Sequence, residues 1–213
     1  MRKLSFIVVI CCTAAFVSCK GNDKKTDNQE TAAEENKMEN AASDAKSGDE
    51  GKNAKWEQRK AKGDTLALPY KDLQAYLPEI SGYSKDGGPK GSQMNMPGMG
   101  SWSEAEQNYV SGDKHVSVKF LDYNSAMQML QGVTAVYAMG FSSEDDSKKQ
   151  NKLDLGKKDV AAYETIYKTD KRAELAIVVA DRFFVTLDTN GDNSEEFLKD
   201  IAKSINLDKL AGL

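Results

Sequence analysis

The chain contains few of the residues on which most enzymatic and metal chemistry depends. Its 213 residues include one histidine and three cysteines. A Gly-x-Ser-x-Gly nucleophile elbow or an equivalent motif does not occur. The formal net charge is −4, whereas nucleic-acid surfaces need a concentrated excess of lysine and arginine. The sequence therefore predicts a protein that binds no nucleic acid, and it excludes much catalytic and metal chemistry.

The first residues have the form of a secretory leader. Met1-Arg2-Lys3 is a short basic segment, and residues 4–17 form an apolar run that is too short for a permanent membrane span. The run ends in Phe16-Val17-Ser18-Cys19. This tetrapeptide resembles a bacterial lipobox, although Phe16 stands where lipoboxes usually have leucine. We therefore predict a lipoprotein signal peptide over residues 1–18.

The lipobox resemblance implies that Cys19 becomes the first residue of the mature chain. It would carry a diacylglyceryl thioether, with an added N-acyl chain such as palmitate. Several acyl chains anchor a protein stably, because each buried methylene contributes about 0.8 kcal/mol. Cys11 and Cys12 would leave with the leader, so the mature chain would hold no free thiol. The alternative is an ordinary cleaved leader that leaves Cys19 as a thiol.

A polar segment follows the predicted lipidation site. Residues 20–55 are almost entirely small, polar or charged, and Met38 is nearly their only large apolar residue. Such a segment cannot bury enough surface to offset the entropy of ordering it. We predict a disordered tether over residues 19–55, which holds the domain on the order of 30 Å from the membrane. Asp23 is the single acid within residues 20–25, which favours the periplasmic side and leaves the cell surface open.

Residues 56–213 are predicted to form one α+β domain, an antiparallel sheet with helices packed on it. Between Val160 and Asp188, short runs rich in Val, Ile, Tyr, Phe and Thr predict a three-stranded meander at the centre of the sheet. Residues 102–110 and 114–123 predict a hairpin, with its first strand at a partly exposed or edge position. The glycine-rich residues 82–100 and the charged residues 141–152 are predicted as loops.

Helical periodicity predicts three helices, at residues 70–77, 126–137 and 194–205. Asn124-Ser125 is the expected cap of the second helix, and Asn193 with Glu196 forms the expected capping box of the third. Leu207, Leu210 and Leu213 are expected to close the chain as a small apolar lid.

Methionines supply one candidate metal site. Met94, Met96 and Met99 lie within six residues of the predicted loop. Thioethers are soft ligands that suit Cu(I). The alternative is that these side chains make adaptable apolar contacts. His115, the only imidazole, would assist a copper site only if the fold brought it close.

Carboxylates supply the remaining candidates. Glu104, Glu106 and Asp122 could serve acid–base catalysis if burial shifted their pKa values, although solvated strand carboxylates are far commoner. Residues 188–193 alternate acids and amides as calcium loops do. However, Asn193 and Lys199 occupy the positions where an EF-hand needs glycine and glutamate, so this calcium site is rejected.

The whole chain, with its lipobox, mixed-charge tether and C-terminal helix, resembles small uncharacterised bacterial lipoproteins. The order of its elements is loosely similar to that of PsbP-like α/β domains, a likeness that transfers no function. We expect a non-catalytic, cofactor-free envelope lipoprotein with a binding or accessory domain, anchored to the bilayer through Cys19 and able to bind an envelope protein. The alternative is a Cu(I)-binding envelope protein, and an enzyme using the carboxylates ranks below both.

Overall fold

Antiparallel strands dominate the structure, a computed structural model that describes residues 54–98, 100–138, 140 and 142–213. The predicted leader, Cys19, most of the predicted tether and Met99 lie outside the described residues. Within the described residues, eight strands form one sheet. They are β1 (Ser84–Met96), β2 (Gly100–Ser111), β3 (Lys114–Asp122), β4 (Ser143–Glu144), β5 (Lys148–Leu153), β6 (Val160–Tyr167), β7 (Arg172–Val179) and β8 (Phe183–Asn190).

The described helices are short and lie between or beside the strands. They are α1 (residues 54–61), α2 (Tyr70–Gln74), α3 (Met127–Ala138), α4 (Glu195–Ser204) and α5 (Leu207–Ala211). The strand order is β1-β2-β3-β8-β7-β6-β5-β4. Two meanders therefore meet where β3 pairs with β8, and α3 connects β3 to the far edge of the sheet. The antiparallel α+β class, the hairpin and the central meander are confirmed, in a domain richer in strands than the sequence predicted.

One face of the sheet, here called the inner face, forms the main core with α2, α4 and α5. Alternate residues point inward, as Phe183, Val185 and Leu187 of β8 illustrate by being almost fully buried. Helix α4 buries Leu198 and Ile201 on the same core. In a half-buried strand every second side chain points to the core, so the alternating pattern of β8 could be predicted from the sequence.

The opposite face, here called the outer face, is only partly covered. Helix α3 packs on it through a small apolar cluster that includes Leu130, Trp102 and Phe184. Near the other end of α3, the ring of Tyr137 stacks on that of Tyr163 at a centroid distance of 5.0 Å. The predicted caps of α3 have other partners: the side chain of Asn124 is buried, and Ser125 Oγ accepts a hydrogen bond from Ser101 N at 2.6 Å.

Two segments predicted as loops are strands. All 13 residues of β1 are exposed, and its pairing shifts register between Asp86 and Lys90, around Pro89. Its backbone hydrogen bonds are satisfied by β2 without any buried side chain, so no alternating pattern marks it. Strand β5 buries only Leu153, so no alternating pattern marks it in the sequence either. Residues 102–110 were predicted at a partly exposed or edge position: every second residue of β2 is partly exposed, as predicted, but β1 occupies the edge.

The C-terminal region corrects two smaller predictions. Ser194, rather than Asn193, caps α4, since its hydroxyl accepts a hydrogen bond from Phe197 N at 3.3 Å. The amide of Asn193 is instead used to donate to the carbonyl oxygens of Tyr167 and Asp170. Leu207 and Leu210 are buried as expected, but Leu213 is 40% exposed and does not close the core.

Candidate functional site

Two of the three candidate copper ligands lie on one strand. Met94 and Met96 occupy alternate positions of β1, so their side chains share the outer face, where they are 48% and 36% exposed. Met94 pairs with Trp102 of β2, whereas His115 pairs with Val110 at the other end of that strand. At about 3.4 Å per residue, this offset separates the two positions by about 27 Å. The fold does not bring His115 to the methionines.

The strand glutamates form ordinary surface interactions. Glu106 Oε2 lies 3.0 Å from Lys119 Nζ, directly across the β2–β3 pair, and both side chains are partly exposed. Glu104 Oε1 accepts a hydrogen bond from Ser92 Oγ at 3.1 Å. Exposed pairs of this kind contribute about 0–1 kcal/mol. The two carboxylates therefore have the partners of solvated strand residues.

Asp122, the third candidate acid, is part of a buried cluster. Its side chain is 0% exposed and that of Arg182 is 3% exposed. Arg182 donates from Nε to Asp122 Oδ1 at 2.9 Å and from Nη2 to Oδ2 at 2.8 Å. The same two oxygens accept from Asn124 N at 3.0 Å and Leu68 N at 2.9 Å. Both oxygens are fully used in holding the fold together, so Asp122 acts structurally.

The segment that enters the domain is fastened to this cluster. Asp64 Oδ2 accepts from Arg182 Nη1 at 2.9 Å, and Asp64 Oδ1 accepts from Asn124 Nδ2 at 2.6 Å. Arg59 of α1 donates from Nε to Asn124 Oδ1 at 2.7 Å. Lys55 lies 2.8 Å from Asp159 Oδ1. These contacts join α1 to the end of the sheet where β3 ends and β8 begins.

The acids of the rejected calcium loop also have separate partners. Asp188 pairs with Arg172 at 2.6 Å on the outer face. Asp192 accepts from Ser194 N and Oγ, at 3.1 and 3.0 Å, and pairs with Lys114. These hydrogen bonds outweigh the effect of burial and lower the pKa of Asp192. The two carboxylates therefore stabilise a strand pair and a helix start.

A cleft lies beside the C-terminal helices. Its volume is about 450 Å³. The loop after β5 forms one wall, with Leu155 and Lys157, and the α4–α5 junction forms the other. The floor contains the buried residues Ala202, Ile205 and Leu207. The rim carries an ion pair in which Lys157 Nζ lies 2.5 Å from Asp208 Oδ2.

The sequence offered no signal for this cleft. Its two walls come from segments about 50 residues apart, as the Lys157–Asp208 contact shows. The charges at its rim have the spacing of a solvated helix face, and Lys199 pairs with Glu195 one helical turn away. Only the break between α4 and α5, capped by Asn206, distinguishes this region from a continuous helix.

Glu164 on the inner face is the one buried carboxylate of the described residues whose oxygen lacks a partner. Glu164 is 2% exposed, and its Oε2 accepts no hydrogen bond. Burial raises the pKa of Glu164, because the charged form is desolvated. Lys199 and Lys149 lie near enough to oppose this effect only partly. Glu164 is therefore a site where charge destabilises the fold.

Glu164→Gln should raise the free energy of unfolding at pH 7 by about 1 kcal/mol. The folded pKa of Glu164 is raised, so the native carboxyl retains its proton at a pH where the unfolded chain has released it. Stability is therefore lost as pH rises from the unfolded value, about 4.3, towards the folded pKa. Urea denaturation between pH 4 and pH 8 measures this slope, which the variant should lack.

The matched control for Glu164 is Glu196→Gln, because Glu196 is exposed in the first turn of α4. That variant should retain the pH slope and lose at most about 0.3–1 kcal/mol of helix-dipole stabilisation. Parallel pH profiles for wild type and Glu164→Gln would contradict the assignment.

Comparison with known proteins adds no assignment. No protein-family model, curated protein or solved structure matches the chain. Among the described residues, no helix is both long and apolar enough to cross a bilayer. The same residues contain no group of three or more His, Cys, Asp or Glu side chains placed to hold a metal ion. The lipobox resemblance and the PsbP-like element order stay predictions from the sequence.

Proposed function

We propose that the chain is a membrane-anchored envelope lipoprotein whose α+β domain is a non-catalytic binding or accessory module. The anchor rests on Phe16-Val17-Ser18-Cys19 and the apolar run before it. The bilayer is its first partner, through acylated Cys19, and the domain faces the periplasm. A small ligand or an envelope protein is the second partner.

The cleft beside α4 and α5 is the observation that carries the binding role. Its volume of about 450 Å³ lies within the range of about 300–1,000 Å³ that is usual for ligand sites. Its apolar floor suits the body of a small molecule. Its rim lysines are each paired with an acid, Lys157 with Asp208 and Lys203 with Asp200. An anionic group on the ligand would take the place of one of these acids as the partner of its lysine.

The contacts of the candidate acids support a non-catalytic role. A catalytic carboxylate needs a free oxygen within reach of substrate. Asp122 uses both oxygens in the buried cluster, so it has none free for a substrate. Turnover by the purified chain in a broad panel of hydrolase assays would overturn this part of the proposal.

Mass spectrometry of the protein purified from envelopes tests the anchor. We expect a mature chain that begins at Cys19 and carries the added mass of a diacylglyceryl group and an N-acyl chain. Cys19→Ala should abolish this mass, whereas the control Cys11→Ser should leave the mature product unchanged, because Cys11 is removed with the leader. An unmodified Cys19 sulfur, or a retained leader, would contradict the proposed lipid anchor.

A fluorescent apolar anion, 1-anilinonaphthalene-8-sulfonate, tests the cleft. We expect the probe to bind the native chain, and Lys157→Glu to weaken its binding by reversing a rim charge. Lys171→Glu serves as the control, because Lys171 is exposed in the β6–β7 turn, away from the cleft. Equal binding by the two variants would remove the cleft from the proposal.

Copper binding is the alternative function, and one observation favours it. Met94 and Met96 lie on the same exposed face of β1, so their thioethers can converge on one soft ion. Titration with Cu(I) under a competing chelator measures the affinity. Replacing Met94, Met96 and Met99 with leucine should abolish binding, whereas Met129→Leu on α3 is the control. Unchanged affinity in the triple variant would reject copper.

A further inference from the structure

Strand β1 leaves one edge of the sheet open. It stands first in the strand order and pairs only with β2, so among the described residues no strand lies on its other side. In an antiparallel strand, successive residues direct their main-chain N–H and C=O groups alternately to the two sides. About half of these groups in β1 therefore point away from β2, and all 13 of its residues are exposed.

The first half of this edge, residues 84–90, carries features that discourage pairing with another strand. Lys85, Asp86 and Lys90 are charged, and Pro89 has no N–H. The pairing with β2 also shifts register between Asp86 and Lys90. Charge, proline and bulges are the usual protection of an exposed strand edge. This half of β1 is therefore a poor template for a further strand.

The second half of β1 lacks these features. Residues 91–96 read Gly-Ser-Gln-Met-Asn-Met, without charge or proline, and their pairing with β2 has no register shift. We call residues 90–96 the open segment. All of its residues are exposed, so the free side of the strand is accessible to a partner. Main-chain donors and acceptors in a row match only another extended chain.

The open segment is held in an extended conformation before any partner arrives. Every residue from Lys90 to Met96 pairs with a residue of β2. Helix α2 supports the segment from the inner face, where an added Cβ on Gly91 would lie 2.7 Å from Tyr70 Cδ2. A strand that is already ordered loses little conformational entropy when it pairs, which favours association.

The far edge of the sheet offers no comparable segment. Strand β4 there consists of Ser143 and Glu144 and pairs only with β5. Strand β5 carries Lys148, Lys149 and Lys152. An edge that is so short and charged is a poor template. The described residues therefore present one open edge, so pairing would stop at two copies rather than grow into a fibre.

We propose that the open segment pairs antiparallel with the same segment of a second copy of this chain, so that two sheets join across a twofold axis. An axis through Gln93, perpendicular to the sheet, pairs residues 90–96 over their full length. Ser92 then lies opposite Met94 of the other copy. About six to eight main-chain hydrogen bonds would form. The dimer does not depend on the proposed lipid anchor or on the cleft.

The side chains of the open segment suit this partner. Lys90, its only charge, stands at one end, so the two copies of Lys90 would lie about 20 Å apart. Met94 would lie about 7–8 Å from Met94 of the other copy, on the diagonal. Pairing would thus cover exposed thioethers without bringing like charges together. A segment of another protein would share the main-chain bonds but not this symmetric match in length and charge.

Sedimentation equilibrium of the full chain purified from envelopes tests the dimer. Detergent micelles are kept in large excess, with a chelator and a reducing agent present. Neither a shared micelle, a bridging metal nor a disulfide then joins the copies. We expect a reversible equilibrium between monomer and dimer. A wild-type chain that stays monomeric up to about 1 mM would overturn the proposal.

Charge substitutions at Gln93 test the register. Gln93→Lys and Gln93→Glu each place like charges opposite each other at the twofold axis, so each should weaken self-association by about tenfold or more. An equal mixture of the two variants places opposite charges there and should dimerise at least as well as wild type. Because Gln93 is exposed, the urea midpoint should change little. Ser84→Lys, in the first half of β1, is the matched control and should leave the dimer unchanged.

Three results would overturn pairing through the open segment. They are a dimer that Gln93→Lys does not weaken, a mixture that fails to restore it, and equal weakening by Ser84→Lys. Mass spectrometry of the same samples keeps the proposed anchor separate. A monomeric chain with acylated Cys19 would leave the anchor standing, and a dimer with unmodified Cys19 would leave the pairing standing.

Discussion

Asp122→Asn should lower the free energy of unfolding by about 3–5 kcal/mol, the usual cost of breaking a buried ion pair. The substitution leaves the positive charge of Arg182 without its bidentate partner at a position that is 2% exposed. It also weakens the acceptor for Leu68 N, which fastens the entry segment to the sheet. Urea denaturation followed by tryptophan fluorescence measures the loss.

The control for Asp122 is Glu106→Gln, which removes a pair that is partly exposed. Glu106 and Lys119 are 3.0 Å apart but lie on the outer face, so the loss should be about 0–1 kcal/mol. A double variant, Asp122→Leu with Arg182→Met, should be less destabilised than the sum of its single variants, because both buried charges are removed together and neither is left unpaired. Additive losses, or equal losses for Asp122→Asn and Glu106→Gln, would show that the cluster does not act as a unit.

Gly100→Ala should lower the free energy of unfolding by about 3 kcal/mol, the sum of positive-φ strain and overpacking. Gly100 has a φ of 101°, and its added Cβ would lie 2.3 Å from the main-chain oxygen of Ser125 and 2.7 Å from the carbonyl carbon. The start of α3 would have to move away from β2, and with it the apolar cluster around Trp102. Denaturation in urea, with near-ultraviolet circular dichroism to report on Trp102, measures both effects.

Gly112→Ala supplies the matched control for Gly100. Gly112 also has a positive φ, 63°, but nothing lies within 4 Å of its added Cβ. This variant should lose only the conformational part, about 1–2 kcal/mol, without a change in the near-ultraviolet spectrum. If both alanine variants lost the same stability, the close approach of α3 to β2 would not be the cause.

The sequence predicted those strands whose side chains enter the core. In β7, Leu175, Ala176 and Ile177 are all buried, and in β8 the burial alternates, so composition and period carried the information. Strand β1 has no buried side chain and depends on backbone pairing with β2, which leaves no mark in the residue pattern. Its glycines and Pro89 therefore indicated a loop when they mark a register shift in an edge strand.

The candidate sites were less predictable because they join distant parts of the chain. Asp122 and Arg182 are 60 residues apart, and only their burial together turns a candidate catalytic acid into a structural one. The cleft likewise needs a loop after β5 to face α4 and α5.

The pairing of β3 with β8 makes completion of the sheet depend on a strand that is made about 60 residues after β3 ends. Val118 lies opposite Leu187, and Phe120 lies opposite Val185. Until residues 183–190 have emerged, the first three strands expose an unpaired hydrogen-bonding edge and an apolar surface. A product that stops short of Phe183 would therefore be prone to aggregate and to be degraded.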